Sequence, residues 1–206
     1  MLAPYSSTPT VRAVTAELRL LAQPVQVGLQ VAPGSPAAHA LEQALGVALP
    51  ATANTVASVE SRDVLWLGPE EWLVIESGSD ATTAGAATGV AAGATLEADL
   101  RAAVGGDGWA AIVDLSANRS AFELAGAGAV EVLASVCGLD LHPRSFPAGR
   151  CAQTLLAAAP VILQRLASGP QPRFRILVRP SLARYVQDWL ADAIVGVAAA
   201  DASLRT

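Results

Sequence analysis

Few residues in this sequence are equipped for chemistry, and those few are scattered. Metal ligation needs histidine, cysteine and carboxylate donors in a cluster. The two histidines, His39 and His142, stand alone, one on an expected short helix and one in a proline-rich loop. No serine sits in a G-x-S-x-G elbow, so a Ser-His-Asp triad has no obvious nucleophile. All basic residues are arginine, which removes Schiff-base chemistry and the phosphate-binding lysine of a P-loop. With one methionine and two tyrosines, general acid–base work falls to carboxylates. Asp114 in VDLS and Asp140 in GLDL are the candidates, but both stand at element ends, where a carboxylate more often caps backbone N–H groups. No catalytic, cofactor-binding or metal site is expected in this chain.

Anion sites are equally thin. GAGA (126–129) lies between a strand and a helix, as a dinucleotide loop would. Glu131 stands where the third glycine belongs and would repel a pyrophosphate, so a tight turn into a helix is expected. In RFRILVRP, Arg173, Arg175 and Arg179 alternate with Phe174, Ile176 and Val178. They read as an exposed strand face kept soluble by charge, with an anion groove as the alternative. Cys137 and Cys151 read as two buried thiols of a reducing compartment, although their spacing alone also allows a disulfide.

Composition narrows the class further. The chain has 206 residues, 52% of them hydrophobic, which suits one domain or two small ones with a sizeable core. The late apolar run AIVGVAAA (193–200) is far short of the roughly 20 residues a membrane span needs. The start, MLAPYSSTPT, has no basic segment followed by an apolar one, so no secretory signal is read and a cytoplasmic location is expected. Charge is uneven: five arginines face 14 acids in residues 1–139, and eight arginines face four acids in residues 140–206, for a net −5. So acidic a chain is a poor partner for nucleic acid.

The elements that must position any site follow from periodicity. VQVGLQV (25–31) alternates as a strand. After Pro33-Gly34-Ser35, a helix carries Leu41, Ala44 and Leu45 on one face and stops at Gly46. Strands are expected at 55–60, 63–67 and 72–76, a mobile loop at 77–94, and a helix through Leu96, Leu100, Ala103 and Val104. The plan then repeats, with strands at 109–114 and 119–125 and a helix at 127–137. Strands near 151–157, 160–166 and 173–178 follow, and a last helix capped by Ser181 carries Leu182, Tyr185, Val186, Trp189, Leu190, Ala193 and Ile194 as its apolar stripe. The strand at 25–31 corresponds to 120–125, and WLVI (72–75) to FRIL (174–177). The fold class is therefore α+β: two similar units with antiparallel sheets and helices on one face. The expected organisation is an N-terminal tail at 1–20, a first unit at 21–106 and a second at 107–206, packed as one compact body.

LWLGPEEWLVI (65–75) places Trp66 and Trp72 about a Gly-Pro-Glu-Glu turn. A hairpin turning symmetrically about Pro69-Glu70 pairs residue 67 with 72 and 66 with 73, which puts the two indoles on opposite sheet faces. One then needs cover from the other half of the chain or from a partner, unless a bulge cancels the parity.

These stretches carry a family resemblance. LWLGPEEWLVI, VDLSANRSAFELAGAGAVEVLASVCGLDLHPRSFPAGRCAQTLL and RFRILVRPSLARYVQDWLADA together resemble the gamma subunit of heterotetrameric bacterial sarcosine oxidases. More distantly, VDLS, LAGAGAVEVL and FPAGR are similar to the folate-binding aminomethyltransferases of the glycine-cleavage T-protein type. That second likeness implies ferredoxin-like units side by side. Where those transferases carry an acidic pair on a strand hairpin, this chain has LLAAAPVILQRL (155–166), without a carboxylate. The resemblance implies a non-catalytic subunit of a complex that oxidatively demethylates sarcosine to glycine, with hydrogen peroxide and methylene-tetrahydrofolate as co-products. It implies alpha, beta and delta partner subunits that hold the FAD, FMN, NAD, zinc and tetrahydrofolate. Partner-interface residues are expected at Trp66, Glu70, Trp72, Phe146 and Arg150. The alternatives are a stand-alone folate-binding protein or aminomethyltransferase relative, and a monomeric α+β domain with an unrelated ligand.

Overall fold

VQVGLQV forms the strand its alternation predicts, and one sheet is organised around it. The structure, a computed structural model, describes residues 11–12, 16–76, 86–106, 108–167, 169 and 171–203. Its elements in chain order are β1 (Val11–Arg12), β2 (Glu17–Leu20), β3 (Val25–Val31), α1 (Pro36–Leu45), β4 (Val56–Val59), β5 (Arg62–Gly68), β6 (Glu71–Glu76) and α2 (Ala86–Val104). They continue with β7 (Ala110–Asp114), β8 (Ser120–Ala125), α3 (Ala129–Ala134), β9 (Cys151–Leu156), β10 (Ala159–Arg165), β11 (Arg173–Val178) and α4 (Pro180–Ser203). The chain forms two units that interleave along the sequence: Ala22–Arg119 with Gly149–Gln153, and Met1–Leu21 with Ser120–Ala148 and Thr154–Thr206.

In the first of these units the strand order is β4-β5-β6-β3-β7, with antiparallel pairing throughout. Val25, Val27, Leu29 and Val31 line one face of β3, and with Val64, Trp72, Val74 and Ile112 they bury against Leu41 and Leu45 of α1 and Leu100 of α2. Local chemistry sets the ends of α1. The Ser35 hydroxyl accepts from the Ala38 N–H at 3.1 Å, proline takes the first helical position, and Gly46 ends the helix in the left-handed region at φ 73°. Ala44, expected inside, is exposed; Ala37 and Ala38 are buried instead.

In the other unit the order is β1-β2-β8-β11-β10-β9. Phe122, Leu124, Leu163, Phe174, Ile176 and Val178 share one buried face of this sheet. Helix α4 lies against α3, β1, β2, β10 and β11 and buries Val186, Leu190 and Ile194. The two units follow one plan. In the first, β3-α1-β4-β5-β6-α2 is followed by β7 beside β3; in the second, β8-α3-β9-β10-β11-α4 has β2 beside β8. The correspondence of 25–31 with 120–125, and of WLVI with FRIL, is reproduced: β3 pairs with β6 as β8 pairs with β11.

Several expectations change. Residues 17–20, assigned to a tail, form β2, with Leu18 fully buried beside β8. Four residues are too few for alternation to register. Residues 110–114, assigned to the second unit, pair with β3 of the first; antiparallel partners can lie anywhere in the chain, so proximity in sequence misled the boundary. Of the expected mobile loop, residues 86–94 belong to α2, because alanine-rich sequence has high helix propensity; residues 77–85 lie outside the described residues. The helix expected at 127–137 is shorter, Ala129–Ala134. Helix α4 opens on Pro180, already helical before Ser181, so the serine is not its cap.

Candidate functional site

The tryptophan hairpin departs from the symmetrical turn. Leu65 pairs with Leu73, Trp66 with Trp72 and Gly68 with Glu71, and the register breaks between Trp66 and Gly68. Leu67 is thus the extra residue of a bulge, which restores both indoles to one face. The opposite-face expectation is overturned by that one residue. Trp72 is 2% exposed, and its indole N–H donates to the Pro50 carbonyl at 2.9 Å. Trp66 is half-buried against the same core. Glu70 is exposed at the turn, and its carbonyl accepts from the Val31 N–H at 3.1 Å. Arg150 is half-buried and bridges Thr55, next to β4. Phe146 is buried in the other unit. The structure therefore brings Trp66 and Trp72 together, anchors Arg150 within the same unit, and places Phe146 elsewhere.

Around VDLS the carboxylates hold the fold. An Asp114 oxygen accepts from the Ser116 N–H at 2.9 Å, and the buried Ser116 hydroxyl accepts from the Gln26 N–H at 3.0 Å. Gln23 and Gln26 donate to the Arg119 carbonyl at 2.5 and 3.1 Å. On α2, Glu97 accepts from Arg101 at 2.6 Å and from the Asp114 N–H at 3.0 Å, while Arg101 donates to the Ile112 carbonyl at 2.5 Å. The Arg101 hydrogen bond, then that of the Asp114 N–H, holds the Glu97 carboxyl below its ordinary pKa. A Cβ on Gly93 would run into Ser116 Oγ and Asp114 Oδ1, so only glycine lets α2 approach this turn.

The six-stranded sheet carries a polar belt where an exposed charged face was expected. Glu123 accepts from Arg19 and from Arg173, each at 2.6 Å, and Arg175, 7% exposed, donates to Gln164 at 2.8 Å. Burial pushes the Glu123 carboxyl up, but the hydrogen bonds from Arg19 and Arg173 and their charges outweigh it, and its pKa falls below the ordinary value. Of the three strand arginines only Arg179 is exposed. Reading RFRILVRP alone could not show that β8 sets Glu123 directly opposite Arg175.

The loop before β9 is clamped from below. Arg165 donates to the carbonyls of Leu141 and Phe146 at 3.4 and 2.8 Å, and its guanidinium lies 5.5 Å from the Phe174 ring centroid. Asp140 accepts from the His142 N–H at 3.0 Å, the turn role its position suggested; bonds from Ser145 and from that N–H lower its pKa. Both cysteines are buried free thiols, and burial pushes Cys151 up to about 11. Among the described residues no three His, Cys, Asp or Glu side chains gather where they could hold a metal ion. Among them, too, no helix is long and apolar enough to cross a membrane.

The surface feature that sequence reading missed is on α4. Tyr185 and Trp189, assigned to the inward stripe, are 37% and 47% exposed. The i, i+4 pattern that marked the stripe as apolar does not say which of two apolar faces packs on the sheet.

The chain matches the model of the sarcosine oxidase, gamma subunit family over residues 30–196. It is 42% identical over 181 residues to the sarcosine oxidase subunit gamma of Corynebacterium sp. (strain P-1), covering 87% of this chain and 80% of that relative. With the sarcosine oxidase subunit gamma of Arthrobacter sp, it shares 40% identity over 178 residues, covering 86% and 79%. Among solved structures, a chain of the heterotetrameric sarcosine oxidase from Corynebacterium sp. U-96, in complex with pyrrole 2-carboxylate, superposes with a TM-score of 0.76. Its identity is 37%, with 92% of this chain and 89% of that chain covered.

Proposed function

We infer that this chain, a member of the sarcosine oxidase gamma subunit family, is a structural subunit of a heterotetrameric sarcosine oxidase and performs no chemistry itself. One observation carries the reading: the carboxylates placed best for acid–base work are occupied in holding backbone and arginines. Asp114 and Asp140 brace turns, Glu97 ties α2 to β7, and Glu123 is bound by two guanidinium groups. On this reading the alpha, beta and delta subunits hold the FAD, FMN, NAD, zinc and tetrahydrofolate. The assembled complex oxidises sarcosine to glycine in the cytoplasm, releasing hydrogen peroxide and passing the one-carbon unit to tetrahydrofolate. The repeated plan of the two units supports an aminomethyltransferase-like arrangement of ferredoxin-like halves. At the expected interface, Glu70 and the half-exposed Trp66 and Arg150 face the partner, with buried Trp72 beneath them; Phe146, also expected there, is buried in the other unit.

Co-expression of the full chain with the three other subunits tests this. A stable flavin-containing complex with sarcosine oxidase activity is expected, and failure of the chain to copurify would overturn the reading. Titration of the isolated chain with a reduced folate should give no saturable binding. Saturable binding would instead favour the stand-alone folate-binding alternative.

A further inference from the structure

We propose that β2 is the displaced last strand of the unit it completes, and that it acts there as a clasp. The six-stranded sheet then closes only when a segment placed before the other unit in sequence returns to β8. This goes beyond the subunit reading and does not depend on it.

Strand order carries the first part. The five-stranded sheet runs β4-β5-β6-β3-β7, and the six-stranded sheet, taken from its other edge, runs β9-β10-β11-β8-β2-β1. Element by element, β3-α1-β4-β5-β6-α2 matches β8-α3-β9-β10-β11-α4. In the first unit the next element is β7, which crosses back from α2 through residues 105–109 and pairs with β3. In the second, no strand follows α4 among the described residues. The matching place beside β8 is taken by β2, which stands before β3 in the chain.

Register carries the second part. A strand laid on a sheet edge can shift by two residues and still turn its apolar side to the core. Here the two strands agree to the residue. Leu29 lies between Trp72 of β6 and Ile112 of β7, and Leu124 lies between Phe174 of β11 and Leu18 of β2. Trp72 and Phe174 open the matching WLVI and FRIL segments, so Leu18 holds the position of Ile112. Both are core residues, 0% and 2% exposed. Each strand also lies against the helix that precedes it in the common plan, β7 against α2 and β2 against α4.

What β2 gives its sheet is what a clasp must give. The Arg19 guanidinium donates at 2.6 Å to Glu123, 104 positions later in the chain. Leu18 is fully buried, and the Leu21 N–H extends the ladder to the Ala121 carbonyl at 2.8 Å. Without β2, β8 would be an open edge strand with unpaired backbone groups.

Amide hydrogen exchange on the full chain tests both parts. Leu18→Ala should speed exchange across 120–125 and 173–178 about tenfold or more, and leave 25–31 and 71–76 within about threefold of wild type. Ile112→Ala, the matching change, should do the reverse. A rearranged chain, in which residues 1–21 follow residue 206 through a flexible Gly-Ser linker, should protect 120–125 as the wild type does. Leu18→Ala in that chain should again speed exchange at 120–125, which shows the strand back in the same place. Loss of protection at 120–125 in the rearranged chain would overturn the displaced-strand assignment. Equal loss in both sheets for Leu18→Ala, or no loss at 120–125, would overturn the clasp.

Discussion

Trp66 and Trp72 stand directly opposite one another across the β5–β6 hairpin, because Leu67 is bulged out of the ladder between Trp66 and Gly68. Two large side chains thereby serve one core.

Removing Trp72 is therefore expected to be severe. Trp72→Ala should cost about 3–5 kcal/mol, the range for emptying a large buried aromatic site. Trp72→Phe should cost about 1–2 kcal/mol, since it keeps most of the volume but leaves the Pro50 carbonyl without its indole donor. Trp66→Ala, at a half-buried site, should fall below Trp72→Ala. In urea unfolding the double variant should show coupling of about 0.5–1 kcal/mol, as directly opposed residues do. Strict additivity would mean that the pair shares a register but no energy.

Gly93 is expected to tolerate nothing larger. In the middle of α2, glycine to alanine would ordinarily stabilise by about 1 kcal/mol through helix propensity. Here the added methyl meets Ser116 Oγ and Asp114 Oδ1, and overpacking of a filled site costs about 1–3 kcal/mol. Gly93→Ala should lower the unfolding midpoint, while Ala98→Gly, at an exposed position of the same helix, should lower it through propensity alone. A stabilised Gly93→Ala protein would show that α2 can lift off the turn at no cost.

Much of this molecule could be read from its residues where a signal was local. The strands β3 and β11, the proline in the first turn of α1 and the stop of that helix at Gly46 each depend on a few neighbouring residues, and each stands as expected. The failures share one physical cause: they depend on partners distant in sequence. Nothing in RFRILV reports that Glu123 will lie across from Arg175. A single bulged residue reverses every parity argument beyond it, as Leu67 does. Nor can a helix apolar on two sides, such as α4, reveal which side meets its sheet.

Cys151 should be an unreactive thiol. Burial raises its pKa from 9.0 to about 11, against smaller opposing effects of the Arg150 charge and the Trp66 backbone. At pH 9 only about 1% of such a thiol is thiolate, against about half of an unperturbed one. In a Cys137→Ala background, which leaves Cys151 as the lone thiol, alkylation at pH 9 should be at least about 30-fold slower in the folded chain than in urea. The rate should still be climbing at pH 10. A plateau near pH 9 in the folded chain would show that the thiol lies in water.

Glu123 should make stability depend on acid in a definite direction. Its carboxyl is buried, which alone would raise its pKa, but the hydrogen bonds and charges of Arg19 and Arg173 more than reverse this and leave it below the ordinary 4.5. A carboxylate with a lowered pKa in the folded state binds fewer protons there than in the unfolded chain. Its stabilisation is thus complete above the unfolded value of 4.5 and is lost as pH falls through the lower, folded value. Glu123→Gln should destabilise the chain by about 1–2 kcal/mol at pH 7, the lower part of the range for a charged hydrogen bond, because the Arg19 side chain is 41% exposed and water screens it. The gap between wild type and Glu123→Gln in urea unfolding should hold steady from pH 7 down to about pH 5 and then close below it. No gap at pH 7 would mean that the two arginines hold the glutamine amide as well as they hold the carboxylate, and that charge at this position does nothing for the sheet.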